Sequence, residues 1–228
     1  NIDHIGMTAT IEAGAILENV QNKINENGFY FPLDLGARGS CMIGGNVATN
    51  AGGINVIRYG MMRNQVLGLE AVLADGTILS SLNQMLKNNA GYDLKQLFIG
   101  TEGTLGVVTK VVVKLELDHK SQNTSLVSLN TFEDVTAFLT HMKSEMGSIL
   151  SAFEVMWGSY YRVVTEEGAH SSPMDRNHNF YIITECDGRD TSHDKYMFMT
   201  ALEKALEGGI IQDAIIPKSE GERRAIWG

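Results

Sequence analysis

Cysteine, proline, positive charge and long apolar runs are all scarce in this sequence, and each shortage excludes something. The 228 residues include two cysteines, Cys41 and Cys186, and three prolines. Two cysteines so far apart, with no CxxC pair and no Cys/His run at zinc spacing, exclude a disulfide-stapled scaffold and a zinc module. They read as free thiols in a reducing compartment, with a single disulfide as the minor alternative. No apolar run reaches the roughly 18–20 residues that span a bilayer. Asn1 is not followed by a basic and then apolar leader, so no signal peptide is in view. The expected location is the cytoplasm or the mitochondrial matrix. Lysine and arginine number 18 against 27 aspartates and glutamates, a net charge of −9. Such a surface repels phosphate backbones and argues against a nucleic-acid partner, while leaving room for a local basic pocket. The non-Met start and the unpunctuated Ala225–Gly228 end read as the inside of a longer protein.

What is present is ordinary globular material: 43% of the residues are hydrophobic and 20% are charged. That suffices for one large core or two modest ones. MTATIE (7–12) alternates as a strand. Residues 14–27 carry Ile16, Leu17, Val20 and Ile24 at helical spacing, stopped by Asn27-Gly28. VLGLEAVL (66–73), the Asp75-Gly76 turn and Ile78–Ser80 predict a hairpin. A short helix is expected over 91–99, and a β-branched strand after the Gly-rich turn at 100. The polar stretch 118–124 marks a domain boundary, giving units 1–118 and 119–228. After it the order is strand, helix 132–146 opened by Thr131 and Asp134, strand, strand, helix 190–206, strand. That order predicts a ferredoxin-like α+β sheet with helices on one face.

Between these regular segments, residues 29–60 hold seven of the 24 glycines, at 36, 39, 44, 45, 52, 53 and 60. The stretch shows neither helical nor alternating period, and a loop of that length is uncommon in a compact domain unless it is functional. Gly44-Gly45 and Gly52-Gly53 remove side chains, so a ligand can approach the backbone and meet its N–H groups. Ser40, Asn46, Thr49 and Asn50 add uncharged donors and acceptors. Neither the Rossmann fingerprint nor the P-loop pattern fits. On composition alone the choice stays open between a nucleotide site and a ligand-free glycine-rich crossover.

PLDLGARGSCMIGGNVATNAGG (32–53), RYG (58–60), VLGLEAVLADG (66–76) and NNAGYDLKQLFIGTEGTLGVVTK (88–110) resemble the FAD-binding domain of vanillyl-alcohol-oxidase (PCMH-type) flavoproteins. Within them the similarity is to the D-2-hydroxyglutarate dehydrogenase, D-lactate dehydrogenase and glycolate oxidase flavoprotein branch. The resemblance covers most of 8–117, and more loosely 151–228. It implies an α+β chain: the second subdomain of a PCMH-type FAD-binding domain, then part of a ferredoxin-like cap, or substrate, domain. It implies FAD held by Pro32, Gly39, Ser40, Ile43, Gly44, Gly45, Asn46, Thr49, Asn50, Gly52, Gly53, Gly103 and Val107. By the same resemblance Tyr92 and Asp93 hold the 91–99 helix in place, and Arg58 is either a phosphate partner or a packing residue. Trp227 matches a tryptophan that precedes a substrate-carboxylate arginine in the family.

The implied reaction is oxidation of a small D-2-hydroxy acid to the 2-oxo acid by hydride transfer to flavin N5. The implied partners are that acid, an electron acceptor (quinone, cytochrome or electron-transfer flavoprotein) and, for assembly, a second copy in a homodimer. The catalytic base and any metal site are expected past Gly228, so no catalytic residue is assigned within 1–228. This stretch alone is expected to hold no FAD. Two other readings remain: a cofactor-free scaffold subunit of a multi-subunit oxidase, and a flavoenzyme for an alcohol, a sugar or a cell-wall precursor. His170, His178 and His193 match no metal-ligand spacing and read as solvated loop residues, with no metal. Met142, Met146, Met156, Met197 and Met199 read as core filler.

Overall fold

A computed structural model describes residues 1–167 and 172–227, with the side chain of Glu167 excepted. The chain divides into two compact units, Asn1–Asp118 and His119–Gly228.

In the first unit the elements run β1 (Ile2–Asp3), β2 (Thr8–Glu12), α1 (Leu17–Asn25), β3 (Phe29–Tyr30), α2 (Ile43–Ala48), α3 (Val56–Tyr59) and α4 (Met62–Gln65). They continue with β4 (Val66–Val72), β5 (Ile78–Ser81), α5 (Lys95–Phe98), β6 (Val107–Lys114) and β7 (Glu116–Leu117). Five strands form an antiparallel sheet in the order β1-β2-β6-β4-β5, and β3 pairs separately with β7. The β-branched run Val111-Val112-Val113 lies at the sheet's centre and is fully buried. Leu17, Val20 and Ile24 of α1 join that core at the predicted helical spacing. Gly76 takes the left-handed φ of 86° that turns β4 into β5, and Asp75 accepts the Thr77 N–H within the turn.

The structure of this unit departs from three expectations. The stretch 29–60 is not structureless: it holds β3 and two short helices, α2 and α3. Its glycines masked the period, yet Ile43, Asn46 and Val47 fall on one buried face of α2. The helix expected over 91–99 shrinks to Lys95–Phe98, because Gly91 sits at φ 76°. Tyr92 does not hold that helix; it is 95% exposed. Asp93 does, pairing with Lys95 at 2.6 Å and accepting from Gln96 at 3.1 Å.

The second unit runs β8 (Ser121–Leu129), α6 (Phe132–Met146), β9 (Leu150–Trp157), α7 (Gly158–Arg162), β10 (Phe180–Gly188), α8 (Thr191–Glu207), β11 (Asp213–Ile215) and α9 (Glu220–Trp227). A 3-10 turn precedes β9 and a π turn follows α7. The sheet order is β11-β8-β10-β9 with every pairing antiparallel, the arrangement a split βαβ repeat requires. Thr131 and Asp134 form the expected capping box at the start of α6. β10 is buried along its whole length, so both of its faces are covered. Phe180 meets Phe132 of α6 on one face, while Tyr181 stacks on Tyr161 of α7 on the other. Helices therefore lie on both faces, not one. The polar stretch 118–124 is not a linker throughout: β8 begins at Ser121, and its polar residues bond inside the unit. Met142 and Met146 fill core as expected, whereas Met199 is exposed.

Candidate functional site

The stretch Pro32–Gly60 leaves β3 and passes under α1 before forming α2. Leu17 N–H donates to Cys41 O at 3.0 Å and Glu18 N–H to Arg38 O at 3.0 Å. At the start of α2, Ile43 N–H and Gly44 N–H donate to Ala15 O and Ala13 O at 3.0 and 2.8 Å. Those first donors of the helix are thus spent on the segment after β2, and α2 is fastened to the sheet by its own backbone.

The glycines divide into two groups. A Cβ at Gly44 would stand 2.8 Å from Ala13 Cβ, and one at Gly53 would stand 2.0 Å from Asp34 O. Gly53 also needs its φ of 103°, and Ile54 N–H bonds the same Asp34 carbonyl. A Cβ at Gly52 would press on Val56 Cγ2 at 3.2 Å. These three serve the chain's own packing. Gly36, Gly45 and Gly103 face open space, with nothing within 4 Å of a Cβ.

The sequence-derived site residues divide the same way. Pro32, Ile43 and Asn46 are buried. Pro32 O accepts from the Asn55 amide at 3.0 Å, and Asn46 directs its amide to Cys41 Sγ at 3.6 Å. Asn50 holds a left-handed φ of 50° and accepts the Arg63 N–H at 2.9 Å. These residues build the support. Gly39, Ser40, Gly45, Thr49, Gly103 and Val107 are exposed. The Ser40 and Thr49 hydroxyls donate to Ala37 O and Gly45 O, which leaves their lone pairs to accept. Arg58 lies over the Tyr59 ring at 4.8 Å.

Two backbone bonds bring the Gly-rich turn after α5 to the far end of α2. Gly100 N–H donates to Val47 O at 3.0 Å, and Glu102 N–H to Ala48 O at 2.9 Å. Gly100, Glu102 and Gly103 all take positive φ in that turn. Gly45, Thr49 and Gly103 on the joined segments are exposed, and so are the apolar side chains of Met42 (51%), Leu105 (51%) and Val107 (66%). This region is bare of Cβ atoms at Gly45 and Gly103, carries the Thr49 hydroxyl and exposed apolar side chains, and has Glu102 as an exposed charge beside Gly103. A flat heteroaromatic ring with polar edges demands bare backbone, a hydroxyl and apolar contacts, so these residues fit a flavin.

Comparison with known proteins agrees with that chemistry. Residues 1–81 match the family of FAD binding domains, and residues 118–228 match the C-terminal domain of FAD linked oxidases. The chain belongs to the FAD-linked oxidase family. It is 40% identical over 225 residues to a putative mitochondrial D-lactate dehydrogenase of Schizosaccharomyces pombe, covering 99% of this chain and 43% of that one. It is 43% identical over 216 residues to a mitochondrial D-2-hydroxyglutarate dehydrogenase of Bos taurus, covering 95% of this chain and 40% of that one. The chain thus spans about two fifths of the length of these relatives. A solved alkyldihydroxyacetonephosphate synthase superimposes with a TM-score of 0.76 at 18% identity, over 99% of this chain and 44% of its own; this shows a shared fold. FAD is the cofactor of this FAD-linked oxidase family, and the mixed α/β architecture is that of its PCMH-type members.

Sequence reasoning passed over Arg63, whose backbone N–H donates to Asn50 and whose guanidinium reaches Gln96 on α5. It also passed over Glu185 on β10, a carboxylate only 2% exposed. Glu185 accepts from Gln122 at 2.9 Å, from the Thr124 hydroxyl, and from Arg223 and the Trp227 indole at 3.0 Å each. The only signal was a charge inside the apolar run FYIITEC, which a buried strand carries only when it is paired. Burial pushes the neighbouring Asp187 carboxyl above its usual range, and the charge of Glu185 adds to that. His170 lies outside the described residues. His178 Nδ1 meets Asn130 Oδ1 at 3.1 Å, and His193 is exposed on α8. No helix among the described residues is long and apolar enough to cross a membrane.

Proposed function

We propose that the protein of which these residues form part is an FAD-dependent dehydrogenase that converts a small D-2-hydroxy acid to its 2-oxo acid. The observation that carries this reading is the exposed, side-chain-free backbone at Gly45 and Gly103 beside Thr49, in a chain of the FAD-linked oxidase family. Bound FAD would supply a two-electron acceptor for the hydride leaving C2 of the substrate. The chain's own residues would do the holding. Gly39, Ser40, Gly45, Thr49, Gly103 and Val107 would face the cofactor, while Pro32, Ile43, Gly44, Asn46, Asn50, Gly52 and Gly53 would hold the backbone beneath it. The fixed backbone would keep the ring in one place, so binding costs little reorganisation.

The names of the relatives, a D-lactate dehydrogenase and D-2-hydroxyglutarate dehydrogenases, support a D-2-hydroxy acid as substrate. Reoxidation would use an external acceptor, a quinone, a cytochrome or an electron-transfer flavoprotein. The word mitochondrial in those names supports a matrix location, which subcellular fractionation would test. The test of the activity is to purify the full-length protein and record its visible spectrum. A yellow protein whose flavin band bleaches with D-lactate, D-2-hydroxyglutarate or glycolate under nitrogen is the expected result. A colourless protein that takes up no added FAD would overturn the reading.

A further inference from the structure

Arg63 opens a cluster that the cofactor reading does not use. It lies on α4, is half-buried, and has no carboxylate in ion-pair contact among the described residues. Its guanidinium instead donates to carbonyl oxygens on one short segment. Nη1 reaches Gln96 O at 3.0 Å and Gln96 Oε1 at 2.6 Å, and Nη2 reaches Ile99 O. Its backbone N–H goes to Asn50 Oδ1 at 2.9 Å. One residue therefore grips two chain segments that meet at the candidate cradle: the loop after α2 and the turn after α5.

Both segments take left-handed backbone angles, and the Gly100–Val47 and Glu102–Ala48 backbone bonds already join the turn to the end of α2. Asn50 sits at φ 50° and Gly100 at φ 86°. A left-handed Asn is uncommon and persists where its surroundings fix it. A Cβ at Gly100 would stand 3.4 Å from both Arg63 Nη2 and Asn50 Cβ, so the three residues are packed together. The turn that follows Gly100 carries Gly103 and leads to Val107, while Asn50 follows Thr49 and Gly45 on α2.

We propose that Arg63 is a positioning residue for the flavin: its planar fork, added to the backbone bonds from Gly100 and Glu102 to α2, fixes where the Gly100–Val107 side of the cradle stands relative to the α2 side. This rests on the FAD reading above. The fork, not the charge, does the setting, because its acceptors are carbonyls at two different points of the chain. A lysine keeps the charge but presents a single ammonium that cannot bridge Gln96 and Ile99 in the same plane.

The experiment compares full-length wild type, Arg63→Met, Arg63→Lys and Gln96→Leu. The readouts are FAD dissociation constant, visible circular dichroism of the bound flavin, and thermal midpoint of the apoprotein. Loss of a set of charged-group hydrogen bonds predicts that both Arg63 variants bind FAD about ten-fold or more weakly, with an altered flavin dichroism band. Gln96→Leu, which removes only the Oε1 acceptor and leaves the backbone carbonyls of residue 96 and Ile99, should weaken FAD binding less and alter the same band. Wild-type affinity and band shape in a folded Arg63→Met would overturn the proposal, as would full rescue by lysine. Should both Arg63 variants fail to fold, unchanged affinity and dichroism in Gln96→Leu would overturn it. A wild type that binds no FAD would instead sink the cofactor reading itself.

Discussion

The two units solve the problem of making a defined surface in opposite ways. In the first, the candidate site is made by backbone and by missing side chains: Gly45 and Gly103 leave open space, and Gly44 and Gly53 let strands of chain touch. In the second, the most constrained spot is made by side chains. Glu185 is sunk into β10 and gathers Gln122, Thr124, Arg223 and Trp227 around one carboxylate. A backbone-built surface accepts a large flat ligand with little rearrangement, whereas a node of paired charges fixes the local chain. Here it fastens α9, which buries none of its own residues, to the sheet. The contrast teaches that α9 is held by polar contacts, assisted by Ile226 and Trp227 against the Tyr161–Tyr181 cluster.

The sharpest way to break this comparison is Gly53→Ala. It adds a Cβ 2.0 Å from Asp34 O at a φ of 103°, so strain and overpacking together should cost about 3 kcal/mol. Urea denaturation would measure it, and a change within a few tenths would mean that the backbone at Gly53 is free to move. The matching test in the second unit is Glu185→Gln, which removes the charge and leaves the shape. Arg223 keeps Glu220 at 2.9 Å, so the loss should be about 2 kcal/mol, below that of an orphaned buried pair. Trp227 fluorescence should shift in parallel, and an unmoved emission maximum would show that Glu185 does not hold the indole.

Acid provides a gentler test. The Arg223 guanidinium, with help from Arg224, lowers the Glu220 carboxyl from an ordinary 4.5 to about 2. A carboxylate lowered on folding contributes stability above its unfolded value and loses that contribution as pH falls through its folded value. Glu220, Arg223 and Arg224 all lie on α9, so the helix itself should lose stability as pH drops from about 4.5 toward about 2, with Trp227 reporting it. Glu220 is half exposed, so salt should blunt the change. An α9 made more stable by acid in that window would contradict the assignment.

How much of this was legible beforehand follows from the same contrast. The second unit declared itself through side-chain pattern. The period of Val135, Phe138 and Met142, the Thr131 cap and the alternation of strands predict the helices and the split βαβ order. Glu185 did not, because pairing with Arg223 and Trp227 joins residues about forty positions apart, and no local pattern encodes that. In the first unit the glycine cluster pointed at the correct segment. It could not separate Gly44 and Gly53, which serve packing, from Gly45 and Gly103, which face outward, because composition is blind to what a Cβ would meet. Nor could it show α2, whose buried face is only Ile43, Asn46 and Val47. The role of Arg63 was hidden for the same reason: its acceptors are backbone carbonyls, which every residue has.

The central claim, that Gly45 lies open to receive a cofactor, is tested most directly by an FAD titration of full-length Gly45→Val beside wild type. Valine replaces a helical glycine that touches nothing, so the thermal midpoint of the apoprotein should hold or rise slightly. FAD affinity should fall by about ten-fold or more, the cost of forcing a branched side chain into a filled contact. Affinity equal to wild type, with the fold intact, would place the flavin elsewhere and contradict the account.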